Sequence, residues 1–142
     1  MNFFTRDLYN QLQGNPTSTS HKSACDEWIR RREKRKKYIL DTLQENERIL
    51  NDRFHDARII DSKIINEEID IVLDCKAASN PGGIVKVHFF GVTNSKGISL
   101  CKDCWWLFEE VYKTKDGFTI MVLLSEGEIE IDCVGFKMLN ES

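Results

Sequence analysis

CWWLFEEVYK (residues 104–113), FTIMVLL (118–124) and EIEIDCVGFKM (128–138) stand in succession near the end of the chain. Their residues alternate between two faces at the two-residue period of an extended strand. Lys115, Asp116 and Gly117 separate the first run from the second, and Glu126 and Gly127 separate the second from the third. These are turn signals, so the pattern predicts three consecutive antiparallel strands. The first run also fits a helix through Leu107 and Val111, four residues apart. Trp106, Phe108 and Tyr112 fit a strand, and the aromatic and β-branched content together with the Gly-containing turn before Phe118 decides for the strand.

Working outward, Ile69, Ile71, Leu73 and Cys75 line one face against Glu68, Asp70, Val72 and Asp74. Val85, Val87 and Phe89 alternate in the same way against Lys86, His88 and Phe90, and Asn80-Pro81-Gly82-Gly83 joins the two runs as a hairpin turn. Arg58-Ile59-Ile60-Asp61 leads into this pair, and residues 93–97 turn the chain after it. Upstream, Thr5 caps a short helix through Leu8 and Leu12 that ends at Gly14-Asn15-Pro16. After a polar linker over residues 17–21, Ser23 with Asp26 matches a helix start. No Gly or Pro occurs between Ser23 and Phe54, and Ile39, Leu43, Leu50 and Phe54 form one apolar stripe with Trp28 on nearly the same face. A helix over about 23–54 would be about 45 Å long. Its charged first half is expected to project, bend or pack against a second copy. The expected fold is α+β: N-terminal helices on a mainly antiparallel meander of about six or seven strands, in a single domain over 1–142 with a helical part (1–54) and a β part (55–142).

A chain of 142 residues can bury one adequate core. With 41% hydrophobic and 30% charged residues it has the composition of a globular protein, and a formal net charge of −3 provides no global field for nucleic acid or anionic lipid. No run approaches the length of a membrane span and the first residues lack the apolar stretch of a signal peptide. Five cysteines, an odd number scattered along the chain, fit reduced thiols rather than a disulfide framework. The sequence therefore predicts a cytoplasmic protein without membrane association.

Five features carry candidate chemistry or binding. Cys101 and Cys104, two residues apart, can share a tetrahedral zinc, but a structural site needs two more ligands, and Cys75, Cys133 or His88 would have to converge on them. Residues 30–37 hold seven cations in eight positions; Arg30, Arg31, Arg35 and Lys36 could dock on an acidic protein surface or grip phosphates, while the plainer account is a solvated helix face offset by flanking acids. His55-Asp56 suggests a general base, yet neighbours on an extended chain point apart and no nucleophile is identifiable. Glu109 and Glu110 cannot form a close acid pair for the same reason. Trp105 and Trp106 face opposite ways on a strand, so one fills the core and the other is either covered by the long helix, the plainer expectation, or exposed as an interface anchor.

Phe3-Phe4-Thr5-Arg6-Asp7-Leu8-Tyr9, Phe54-His55-Asp56-Ala57-Arg58-Ile59 and Trp106-Leu107-Phe108-Glu109-Glu110-Val111 together resemble a bacterial, Bacillus-like family of small proteins of unknown function, whose members open with an aromatic-Phe-Thr-x-x-Leu-Tyr signature. The resemblance implies small cytoplasmic proteins and carries over no catalytic residue. Strand-rich halves of this kind also occur in toxin-neutralising immunity proteins, an analogy of pattern. The expectation is a non-enzymatic protein-interaction module without cofactor, immunity-like in setting, whose partner is another protein or a second copy of itself. The alternatives are a nucleic-acid-associated factor using residues 30–37, the less expected partner, and a small zinc protein using Cys101 and Cys104.

Overall fold

The computed structural model describes residues 1–15, 18–78 and 82–141. Pro16 and Thr17 of the expected helix stop and linker, and Asn80 and Pro81 of the expected hairpin turn, lie outside the described residues. The alternating runs become eight antiparallel strands: β1 (Ala57–Ile65), β2 (Glu68–Asp74), β3 (Ile84–Phe90), β4 (Asn94–Lys96), β5 (Trp105–Lys113), β6 (Phe118–Leu124), β7 (Glu128–Cys133) and β8 (Gly135–Glu141). Their order across the sheet is β4-β7-β6-β5-β1-β2-β3-β8. Two three-stranded meanders, β1-β2-β3 and β5-β6-β7, are thus joined side by side through β1 and β5.

The count exceeds the expected six or seven because two of the apolar runs bend. Residues 94–96, expected in a turn, pair with β7, and residues 128–138 divide at Val134 into β7 and β8. Phe90 pairs with Gly135 and Asn94 with Asp132, and the ladder continues round the corner through Val134 N–H to Phe90 O (3.1 Å) and Thr93 N–H to Asp132 O (2.9 Å). Gly91 makes the bend at φ 62, where a Cβ would lie 2.6 Å from the Val134 side chain. Since β3 runs into β4 and β7 into β8, the eight segments occupy six continuous stretches, and the sheet closes on itself as a small barrel. Ile59, Ile69, Ile71, Leu73, Val87 and Phe89 from one meander meet Trp106, Phe118, Ile120 and Ile131 from the other in a single buried core.

The barrel is incomplete at one seam. β1 and β5 pair only through Ala57 with Trp106 and Arg58 with Trp105, which leaves the rest of β5 as an edge. Helical chain covers it. α1 (Arg6–Leu12) is capped by Thr5, whose Oγ1 accepts from Leu8 N–H (3.2 Å). α2 (Thr19–Thr42) is capped by Ser18, five residues before the expected Ser23 start, through His21 N–H (3.1 Å). α2 ends at Thr42, well short of 54: Leu43 turns extended into the core, and the Arg48 guanidinium donates to the carbonyls of Leu40 and Leu43 (both 3.0 Å), answering the open end of the helix. Gln44 and Glu47 then form a capping box for α3 (Glu45–Arg48). Leu43, Leu50 and Phe54 do enter the core as the apolar stripe demanded, but from a broken path in place of one straight helix.

A bulge in β5 sets what faces the helices. The register slips between Trp106 and Phe108, so Trp106 points into the core while Phe108, Glu110 and Tyr112 point outward. Outside, Phe4, Leu8 and Ala24 make a second small core with Trp28 and Phe108. The buried Glu110 carboxylate holds the N-terminal segment there: it accepts backbone N–H groups from Asn2 (3.0 Å), Phe3 (2.5 Å) and Phe4 (2.9 Å), and the Tyr112 hydroxyl donates to it (2.9 Å). Three backbone amides of one segment on one carboxylate tether the chain leading into α1.

Removing the carboxylate strands those amides, so Glu110→Ala should destabilise the fold by about 3 kcal/mol and open the amides of Phe3 and Phe4 to hydrogen exchange. Urea unfolding with amide exchange measures both, and unchanged protection at Phe3 and Phe4 would contradict the tether.

Candidate functional site

The cations of residues 30–37 separate once α2 is in place. Arg30 and Arg31 both pair with Glu27 (2.5 and 2.6 Å), whose carboxyl they hold down to about 2, and Lys37 pairs with Asp41 (2.5 Å). Arg31 also donates to the Phe3 carbonyl (3.3 Å). Arg35, 5% exposed, turns inward at the β5 seam and donates to Asp52 (3.0 Å), Asn51 (3.0 Å) and Glu109 (3.5 Å). Arg32, Lys34 and Lys36 are exposed and make no ion pair among the described residues. Of the four cations expected at an interface, Arg30 and Arg31 share the Glu27 carboxylate, Arg35 is buried, and Lys36 remains available.

Trp28, Arg32, Lys36 and Leu40 recur every four residues and so share one face of α2. Two clefts lie along this face, and both are walled by Arg32, Arg35 and Asp52. One, of about 230 Å³, is lined further by Phe4, Trp28, His55, Leu107 and Phe108; the other, of about 420 Å³, by Glu33, Lys36, Ile39, Leu40 and Asn51. Together they make a groove with an aromatic end, a charged middle and an aliphatic end. The Arg32 guanidinium lies over the Trp28 ring at 5.2 Å, a cation–π contact at the aromatic mouth.

Beneath the groove, the inward register of β5 buries Glu109, 2% exposed, against Arg35. Burial, opposed by Arg35 and reinforced by Asp52, pushes the Glu109 carboxyl up to about 7. His55 and Asp56 do come together, contrary to the expectation for an extended chain, because Asp56 is left-handed at φ 68; His55 Nε2 lies 3.7 Å from Asp56 Oδ2. Leu107 O can only accept, so His55 Nδ1 carries a proton and donates it to that carbonyl. The lining of this cleft offers charge, stacking and hydrogen bonding.

The other sequence candidates lie elsewhere. The Cys101 thiol is buried, donates to the Ile98 carbonyl (3.0 Å) and is pushed up by desolvation, while the Cys104 thiol faces the carbonyls of Glu126 (3.5 Å) and Leu100 (3.8 Å). Burial raises Cys133 to about 12. Metal ligation takes thiolates, and among the described residues no three His, Cys, Asp or Glu side chains gather where an ion could be held. His88 is engaged by Asp70 on the neighbouring strand (2.5 Å). Trp106 is fully buried against Phe54, and Trp105 is 42% exposed where cover by the long helix was expected, because α2 crosses the β5 seam farther along the strand. Glu109 and Glu110 point to opposite faces, as the strand requires.

Sequence reasoning missed Arg32, Phe4 and Phe108 as members of the groove and Trp28 as its aromatic wall. The four-residue recurrence of Trp28, Arg32, Lys36 and Leu40 was the available signal, obscured because charge fills all of positions 30–37 between its two apolar ends.

Residues 9–133 match a family described as "Protein of unknown function (DUF4085)". No curated protein matches the chain. Among solved structures, one described as the crystal structure of an uncharacterized protein from Neisseria gonorrhoeae is similar at a TM-score of 0.45 and 12% identity, over 62% of this chain and 94% of that one. No helix among the described residues is long and apolar enough to cross a membrane.

The raised Glu109 fixes a pH signature. The unfolded chain releases this proton near 4.5 and the folded chain near 7, so Glu109 costs stability as pH rises across that window. Glu109→Gln, which keeps the shape and removes the charge, should therefore gain on the parent from pH 4.5 to 7, by on the order of 2–3 kcal/mol, and run parallel above. Chemical unfolding across pH measures the difference, and a gap that narrows with rising pH would refute the assignment.

Proposed function

We infer that this chain, which belongs to the DUF4085 family of proteins of unknown function, is a non-enzymatic interaction module that docks an acidic segment of a partner protein in the groove along α2. One observation carries the reading. In a run of seven cations, the neighbouring carboxylates and the interior take up Arg30, Arg31, Arg35 and Lys37, whereas Arg32 and Lys36 stand exposed on the groove face with no ion pair among the described residues. Available charge beside apolar walls is the composition of a recognition surface, in which charge steers the encounter and apolar contact holds the complex.

The setting we propose is the cytoplasm of a bacterial, Bacillus-like cell. An immunity-like role, in which the groove masks an acidic face of another protein, uses the same contacts.

Immobilised oligoglutamate tests the reading on the full chain. Combined Arg32→Glu and Lys36→Glu should weaken binding by about tenfold or more, while Lys34→Glu, the same kind of charge change off the groove, should leave it within about twofold. Equal losses in the two variants, or no retention at low salt, would overturn the groove as the docking face. A single-stranded oligonucleotide that displaces the peptide at lower concentration and shows the steeper salt dependence would move the assignment to phosphate.

A further inference from the structure

We propose that the aromatic end of this groove is an anchor pocket for one aromatic side chain, so that the docked segment is extended and reads aromatic, acidic, acidic, aliphatic along about five or six residues. The inference rests on the acidic docking described above and specifies its ligand.

The pocket's size and walls select the anchor. A cavity of about 230 Å³ falls below the roughly 300 Å³ at which drug-sized ligands begin, but exceeds the roughly 150 Å³ that suffices for a benzene ring. One ring with its stem fits. The walls offer aromatic partners in sequence: Phe4 packs on Phe108 at 4.9 Å and on Trp28 at 6.3 Å, and His55 stacks on Phe108 at 5.3 Å. An incoming ring extends this series by offset or edge contacts, and Leu107 supplies an aliphatic wall.

The order and length follow from α2. Trp28 and Leu40 are twelve positions apart, or about 18 Å along the helix, which an extended chain spans in five or six residues. Between the ends stand three cations, Arg32, Arg35 and Lys36, against two carboxylates, Glu33 and the Asp52 that pairs with Arg35; the excess of cations places acidic side chains in the middle beside Arg32 and Lys36, and an aliphatic one at Ile39 and Leu40. Two donors among the lining residues, Trp28 Nε1 in the aromatic cleft and Arg35 Nε on the wall common to both, are buried without an acceptor. The Arg32 guanidinium covers Trp28, and its movement onto a ligand carboxylate uncovers the indole for a ligand oxygen.

Three synthetic peptides decide the matter with the full chain: one bearing phenylalanine, a central acidic stretch and leucine in that order; one with alanine in place of phenylalanine; and one with the acids replaced by their amides. The first should bind and shift the indole N–H resonance of Trp28, leaving those of Trp105 and Trp106 in place. The alanine peptide should bind about tenfold more weakly and leave Trp28 unmoved, and the amide peptide should lose the salt dependence. If the alanine peptide binds as well as the first, the anchor pocket is wrong and acidic docking survives. If neither acidic peptide binds at low salt, both fall. Arg32→Ala should weaken the first two peptides alike and preserve their ratio; a collapse of that ratio would place the aromatic side chain on Arg32 and outside the pocket.

Discussion

The slip of one residue at Leu107 governs this molecule. Without it, Trp106, Phe108, Glu110 and Tyr112 would share a face, and either the barrel would lose its largest core side chain or the N-terminal segment would lose its anchor. With it, Trp106 faces the core and Glu110 faces out. Glu109 then points inward, into the seam where β5 has no strand beside it. Two adjacent glutamates thereby hold two different parts of the chain: Glu110 takes the amides of residues 2–4, and Glu109 receives Arg35 from α2.

The seam explains why a helix with so little apolar surface stays in place. Within α2 only Ala24 and Arg35 are fully buried. The helix is held by a sparse line of side chains that alternates apolar and polar contacts: Ala24 and Trp28 against the N-terminal cluster, Arg31 on the Phe3 carbonyl, Arg35 on Asp52 and Glu109, and the Tyr38 hydroxyl accepting from Lys113 N–H at 3.1 Å. Farther along, Lys113 reaches the buried Glu47 carboxylate of α3 (3.2 Å). These contacts also satisfy backbone groups that an unpaired β5 edge would otherwise present. A buried cation facing two carboxylates contributes specificity of position more than stability, since desolvation offsets much of its attraction.

The groove is a consequence of this arrangement. α2 does not lie flat on the barrel, because the short pairing of β1 with β5 leaves the chain over 49–56 to fill the seam, and the space between that chain and the helix becomes the two clefts. Its walls come from four separate parts of the sequence. Charge on the groove face is what remains after local pairing has removed most of the run, so net composition, at −3, conceals a basic strip.

The sequence by itself determined the periods: strands at 68–75, 84–92 and 104–113, the helical N-terminus, and the α+β class, because two-residue and four-residue recurrences follow from backbone geometry alone. It also marked Leu43, Leu50 and Phe54 as core. Tertiary structure decided how the runs closed and what the charges met. Whether 128–138 stays straight or bends at Val134, and whether Leu107 is a bulge, depends on which neighbour each backbone group pairs with, a fact spread over residues far apart in the chain. The break of the helix after Thr42 needed Arg48 to reach back to Leu40 and Leu43, and the burial of Arg35 needed Glu109 from 74 positions away. A charged side chain carries no local sign of its eventual surroundings, because the partner that makes its burial tolerable is supplied by the fold.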